Sequence, residues 1–162
     1  MKRMLMGAAV LLLMGAGAAP ATGQVRFGAQ VDFADDVDMG IGVRALKDLD
    51  QYLTGMDGYL AFDLFFPGEN QSYWEINGNV TFPIPMSDGG TMSPYFGGGL
   101  RLARYGVDVP GFGEADDTEL GLNLLVGSQF ASRGKWAPFV ELRLPLGGLE
   151  GVDFILAVGI YF

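Results

Sequence analysis

The chain has 162 residues, of which 49% are hydrophobic and 26 are glycine, and its formal net charge is −9. It contains no histidine and no cysteine, which excludes Ser-His and Cys-His nucleophiles, histidine general bases, histidine-bearing zinc sites and disulfides. The acidity argues against nucleic acid as a partner.

The first 23 residues have the features of a secretory signal peptide that is removed from the mature protein. Two basic residues and an apolar run from Met4 to Ala18 are followed by small residues that flank a plausible cut after Gly23 or after Ala21. The apolar run is shorter than the ~20 residues that a transmembrane helix needs. Residues 24–162 are then one domain with a formal charge of −11 once the two basic residues are removed.

The mature part divides into eight segments in which apolar and polar residues alternate, the period of a β-strand with two different faces. Each is roughly ten residues long, the length that a tilted membrane strand needs. In chain order the predicted strands are 24–34, 38–46, 59–66, 72–84, 93–105, 118–130, 136–145 and 152–162. The stretch 47–58 is predicted to be a polar connection, and 106–117 a long loop rich in glycine and acid.

The last predicted strand has the clearest alternation. Every second residue counted back from the end is large and apolar, namely Phe162, Ile160, Val158, Leu156 and Phe154. A strand that ends on such a phenylalanine is expected where this face contacts lipid and the ring lies at the bilayer edge. The alternative is an ordinary core strand at the end of a soluble sandwich.

The aromatic residues of the apolar faces fall into two predicted belts. If Phe162 is periplasmic, the periplasmic belt contains Phe27, Phe82, Phe96, Phe130, Trp136 and Phe162. The outer belt contains Phe33, Phe66, Trp74 and Phe154. A soluble sandwich has no reason to produce this arrangement. We therefore predict an all-β protein, an eight-stranded antiparallel up-and-down transmembrane β-barrel.

The opposite faces of the strands collect charged residues, and these are predicted to form a charge network in the lumen. Its members are Arg26, Asp32, Arg44, Asp63, Glu75, Arg101, Glu119, Glu141, Arg143 and Asp153. An eight-stranded barrel is just wide enough for its own side chains to fill, and opposite charges in such an interior must pair or stay hydrated. A plug of ion pairs is the favoured interpretation. A conduit for a small solute is the alternative, because the many inward glycines leave space.

No catalytic, cofactor-binding or metal-binding residues are predicted. Carboxylate-only chemistry stays formally open, since Glu141 lies near Arg143 and Asp63 near Glu75 in the predicted barrel. Such alternating lumen charges, however, occur in any barrel of this kind. We therefore predict that the protein is not an enzyme and needs no cofactor.

The loop 106–117 contains Glu114, Asp116 and Asp117, whose oxygens suit a divalent cation. Their spacing does not match an EF-hand loop, which has ligands at alternate positions and a final glutamate. A solvated loop is the favoured interpretation.

The segments YWEINGNVTF, SPYFGGGLRLARY, DTELGLNLLVGSQF, PFVELRLPL and FILAVGIYF resemble small eight-stranded outer-membrane β-barrels of the OmpA/OmpX/OmpW-like type and porin-family proteins of Gram-negative bacteria. This resemblance implies location in the bacterial outer membrane, contact with its lipid, and assembly by the barrel-assembly machinery, which reads Phe162, Ile160 and Val158. It also implies a monomer with a structural, envelope or narrow-pore role. The lipid-modifying and proteolytic barrels of this type use a catalytic histidine, which this chain lacks.

Two features depart from other members of the group. No C-terminal peptidoglycan-binding domain is expected, and the loops are predicted to be too short for an extended adhesive fin. Two alternative functions stay open: a passive channel or transporter for a small or hydrophobic solute, and a soluble secreted β-calyx that binds an apolar ligand. The calyx requires the apolar faces to point inward.

Overall fold

The computed structural model describes residues 25–35, 38–68, 71–86, 90–109, 113–131, 135–147 and 152–162. The predicted signal peptide, residues 1–23, lies outside these ranges. Among the described residues, no helix has the length and hydropathy that crossing a membrane would require.

Eight strands form one closed barrel in which each strand pairs antiparallel with its neighbours in the chain and the last returns to the first. This confirms the predicted fold class. The strands are β1 (Val25–Ala34), β2 (Asp38–Asp48), β3 (Asp57–Phe65), β4 (Gln71–Pro83), β5 (Met92–Val109), β6 (Gly113–Phe130), β7 (Ala137–Leu146) and β8 (Ile155–Tyr161).

The hairpin topology places both termini of the barrel at one end, which we call the terminal end. Val25 begins β1 there and Tyr161 completes β8 there. The opposite end, called the distal end, carries the connections that follow β1, β3, β5 and β7. Gly68 and Gly147, in two of these connections, have φ angles of 104° and 70°, a region that glycine enters without steric cost.

The prediction of a loop over 106–117 is wrong. Strand β5 continues to Val109 and β6 begins at Gly113, and the two pair in register as far as Val109↔Gly113. Strand β6 pairs with β7 only as far as Leu122↔Leu146, whereas β5 stays paired with β4 as far as Val107↔Gln71, so the β6 side of this hairpin extends past β7 at the distal end. Alternation is weak here because residues 106–117 are rich in glycine and acidic residues.

The outward faces of the strands carry large apolar side chains that stay exposed. Leu120 is 69% exposed, Leu60 65% and Leu100 56%, and similar residues occur on every strand. A continuous apolar surface of this size is not compatible with a soluble monomer. The soluble calyx, which requires apolar faces inside, is therefore wrong.

The outward aromatic residues lie near the two ends of this apolar surface. Phe82 and Phe96 are cross-strand partners close to the terminal end, with ring centroids 5.8 Å apart. Phe130 ends β6, and Trp136, which is 60% exposed, precedes β7 at the same end. Trp74 lies towards the distal end, opposite Arg104 of β5.

Candidate functional site

The interior of the barrel is the candidate site, because the charged side chains converge there. Seven of the ten predicted lumen residues are buried to 2% exposure or less: Asp32, Arg44, Asp63, Glu75, Arg101, Glu141 and Arg143. Alternation of side chains places them on the inner face, and the stagger of the strands brings them into three connected layers.

The layer nearest the terminal end is built on Arg44 of β2 and Glu141 of β7. Their ion pair crosses the lumen, with Arg44 Nη2 3.1 Å from Glu141 Oε1. The hydroxyls of Tyr59 and Tyr95 donate hydrogen bonds of 2.7 and 2.8 Å to the same carboxylate. The Arg44 guanidinium also lies 4.5 Å from the centroid of the Tyr59 ring and 4.2 Å from that of Phe139. Its charge is thus compensated and its planar faces are packed.

The middle layer is built on Arg143 of β7, which reaches two aspartates. Its Nη2 lies 2.7 Å from Asp32 Oδ1, and its Nη1 lies 2.7 Å from Asp63 Oδ2. Gln30 donates to both aspartates, and Asn77 donates to Asp63 at 3.0 Å. One arginine and two amides therefore hold side chains from β1, β3, β4 and β7 together.

The layer nearest the distal end joins Arg101 of β5 to Glu75 of β4. Arg101 Nε lies 2.7 Å from Glu75 Oε1. The hydroxyl of Tyr73 is hydrogen bonded to both side chains. The Tyr73 ring packs against Phe65 with centroids 5.1 Å apart, and Val152, which precedes β8, belongs to the same buried apolar cluster. Apolar contacts therefore lie on the distal side of the charges.

Aromatic rings occupy the space beside four of the inward glycines. Each of four glycines has an aromatic residue directly opposite on the neighbouring strand: Gly28↔Tyr161, Gly40↔Phe65, Gly127↔Tyr95 and Gly159↔Phe139. A Cβ at any of these glycines would lie 2.9 Å or less from the facing ring. At these four positions the ring packs directly over the glycine backbone.

A buried ion pair contributes stability only when further hydrogen bonds satisfy the remaining polar atoms. Tyrosine hydroxyls and amide groups provide most of those hydrogen bonds here, although Asp32 Oδ2 and Arg143 Nε have none. Five such side chains were not among the predicted network residues: Gln30, Tyr59, Tyr73, Tyr95 and Asn77. The sequence shows that they belong to the inward-facing set of alternate residues. Alternation gives the face of the strand, however, and not the charged group to which each side chain is hydrogen bonded.

Three predicted lumen residues lie outside the network. Arg26 is at the terminal end, with Nη2 3.3 Å from Gln129 Oε1 and its guanidinium over the Tyr161 ring. Glu119 is half-buried on the extended β5–β6 hairpin. Asp153 is exposed, because β8 begins only at Ile155, so its assignment to the lumen is wrong.

A cavity of ≈ 600 Å³ opens at the terminal end and is lined by Arg26, Leu46, Asp48, Asp50, Gly55 and Asp57. Leu46 and Arg26 mark its inner boundary, and Leu46 is buried. The Arg44–Glu141 layer lies further inside. The cavity is therefore a vestibule at one end of the barrel.

Two arrangements had left carboxylate catalysis open, Glu141 with Arg143 and Asp63 with Glu75. In the structure all three carboxylates lie in ion pairs inside the barrel. Asp63 and Glu75 are cross-strand partners, but each is held by an arginine and neither is exposed. On the extended hairpin, Asp116 pairs with Arg104. Within the described ranges, no group of three or more acidic side chains is arranged to hold a metal ion.

No protein-family model and no curated protein sequence matches the chain. Solved structures share its fold. Neisserial surface protein A (NspA) superposes with a TM-score of 0.64 at 16% identity, over 87% of this chain and 98% of that one. The N-terminal β-barrel domain of OprF from Pseudomonas aeruginosa gives a TM-score of 0.66 at 14% identity, over 87% and 98%.

The outer-membrane enzyme PagL also shares the fold, with a TM-score of 0.51 at 13% identity over 84% of this chain and 96% of that one. At these identities the similarities show the fold alone. They confirm the predicted resemblance to small outer-membrane β-barrels. Because one of the three is an enzyme, the fold does not decide whether this chain has an activity.

Proposed function

We propose that the protein is an integral outer-membrane β-barrel with a structural or envelope role, whose lumen is closed by its own side chains. The observation that carries this proposal is the buried network. Three arginines and four carboxylates, all at 2% exposure or less, connect opposite walls of the barrel. A solute could pass only if these ion pairs separated.

The membrane location is supported by the outward apolar face, which needs lipid around it. It is also supported by the predicted signal peptide and by the fold shared with outer-membrane barrels. In this arrangement the terminal end is periplasmic and the β5–β6 hairpin extends outside the cell. We further propose that the barrel is a monomer.

Assembly by the barrel-assembly machinery belongs to the same proposal. Val158 and Phe162 are 46% and 62% exposed on the outward face of the C-terminal strand, and Ile160 lies between them on that face. These side chains are therefore available to a receptor before they contact lipid.

An activity is not part of the proposal. The chain has no histidine for the chemistry that barrel enzymes of this type use, and the interior carboxylates are bound by arginines. The channel or transporter for a small solute is the alternative function. No contact in the described interior favours it, and conductance distinguishes the two functions.

We expect the chain, expressed in a Gram-negative host, to fractionate with the outer membrane, to start at residue 24 or 22 and to show heat-shifted gel mobility. Phe162→Ser is expected to leave most of the chain unfolded in the periplasm. The matched control is Phe130→Ser, which removes another outward aromatic at the same end and is expected to assemble. Recovery of folded, soluble protein from the periplasm would contradict the proposal.

A further inference from the structure

The charges buried inside the barrel do not balance. Four carboxylates and three guanidinium groups are buried among the described residues: Asp32, Asp63, Glu75, Glu141, Arg44, Arg101 and Arg143. With every group ionised, the interior would hold one excess negative charge. A buried charge without compensation is costly, so the excess requires a bound cation.

The excess negative charge lies on one pair of residues. Glu141 has Arg44 at 3.1 Å, and Glu75 has Arg101 at 2.7 Å. The remaining arginine, Arg143, is shared by Asp32 and Asp63 at 2.7 Å each. The two aspartates therefore have one positive charge between them.

The same donors hold these two carboxyl groups close together. Gln30 Nε2 lies 2.8 Å from Asp32 Oδ1 and 2.8 Å from Asp63 Oδ1. Two carboxylates that share donors in this way repel each other, and such pairs favour binding of one proton.

One oxygen of the pair has no partner. Asp32 is fully buried, and its Oδ2 accepts no hydrogen bond within the described structure. It faces Gly42, where an added Cβ would overlap Asp63 Oδ1 and lie 3.1 Å from Asp32 Oδ2. Asp63 Oδ1 thus occupies the place that a side chain at Gly42 would take, and Asp32 Oδ2 lies beside it. A proton on Asp32 Oδ2 would turn this unpaired acceptor into a donor towards Asp63.

We propose that Asp32 and Asp63 form a proton-binding site, in which one proton is held on Asp32 Oδ2 and shared with Asp63 at neutral pH. A metal ion fits this space less well, because it needs several oxygen ligands and the described residues offer no group of three acidic side chains for it. The proton site rests on the contacts of the two aspartates inside the barrel, and it does not require that the lumen be closed or open to solutes.

The groups around the pair are compensated by their own partners. Glu75 and Glu141 lie 3.9 and 3.8 Å from Arg143, but each has its own arginine. The tyrosine hydroxyls of β3, β4, β5 and β8 are bonded to Glu141, Glu75 or Arg44, and β6 contributes the neutral Asn123, which donates to Asn77. The other charged side chains that face the site are Arg44, Glu75, Arg101, Glu141 and Arg143.

Infrared spectroscopy of the folded protein in detergent at neutral pH detects the proton directly. We expect the C=O stretch of one protonated carboxyl group, shifted in D₂O and absent from Asp32→Asn. The matched control is Asp116→Asn, on the extended hairpin, which is expected to keep the band. Absence of this band from the unsubstituted protein overturns the proposal, and that measurement needs no variant to fold.

Unfolding by urea at a series of pH values gives an independent test. Above about pH 5 an unfolded aspartate is ionised. The folded pair would then hold one more proton than the unfolded chain, so stability falls as the pH rises. The unfolding constant of the unsubstituted protein, divided by that of Asp32→Asn, is expected to rise about tenfold per pH unit until the folded pair loses its proton. Against Asp116→Asn the ratio should stay constant. The proposal is overturned if the ratio of the two unfolding constants, unsubstituted protein to Asp32→Asn, does not depend on pH. It is also overturned if this ratio changes with NaCl concentration instead, which would indicate a metal cation in place of the proton.

Discussion

Replacing Arg143 with methionine is expected to destabilise the barrel by about 3–5 kcal/mol, because Asp32 and Asp63 then lose the arginine that they share. Methionine keeps much of the aliphatic volume, so the loss reports mainly the missing charge and its hydrogen bonds. The free energy of unfolding, from urea titration of the protein in phospholipid vesicles, measures it.

The matched control for this substitution is Arg104→Met. Arg104 pairs with Asp116, but the two side chains are 44% and 34% exposed. An exposed pair of this kind contributes at most about 1 kcal/mol. Combining Arg143→Met with Asp32→Asn and Asp63→Asn should recover part of the loss, since no buried charge remains at that place. Equal losses for Arg143→Met and Arg104→Met would contradict the description of the interior as a buried ion-pair network.

Replacing Leu122 with arginine is expected to cost about 2 kcal/mol in a bilayer, because a cation on the lipid face costs ~2–4 kcal/mol at the middle of the membrane and less towards the edge, where β6 leaves β7. Leu122 is 52% exposed and opposes Leu100, which is 56% exposed, within the outward apolar surface. The measurement is again urea unfolding in vesicles.

The matched control lies on the same strand and the same face. Thr118 is four residues from Leu122 along β6, exposed, and on the part of the hairpin that extends past β7. Thr118→Arg is expected to change the free energy of unfolding by no more than about 0.5 kcal/mol. A similar cost at both positions would show that Leu122 does not contact lipid.

Much of the fold could be predicted from the sequence because the period of two is strict where one face of a strand meets lipid and the other the lumen. The inward residues of β7 illustrate this, since Glu141 and Arg143 follow from parity alone. The extended hairpin was missed because residues 106–117 are rich in glycine and acidic residues, so apolar and polar side chains do not alternate clearly there. Asp153 was wrongly assigned to the lumen because the alternation of β8 was extended to residues before Ile155, where the strand begins.

The pairing inside the lumen could not be predicted from parity. Alternation assigns a residue to the inner face, but it does not give the height of that residue relative to distant strands. Arg44 and Glu141 meet because the stagger of β2 and β7 brings them to one level, 97 residues apart in the chain. The glycine–aromatic pairs depend on the same register. For this reason the sequence suggested open space at the inward glycines, whereas the structure places an aromatic ring beside four of them.

Single-channel recording tests the central claim, the closed lumen, most directly. The refolded protein is inserted into a planar bilayer, and its heat-shifted gel mobility shows that it is folded. Because the ion pairs of Arg44, Arg101 and Arg143 bridge the interior, we predict no discrete conductance steps. Discrete steps whose size changes in Asp63→Asn would show a path through the lumen, and they would contradict the closed barrel in favour of the channel.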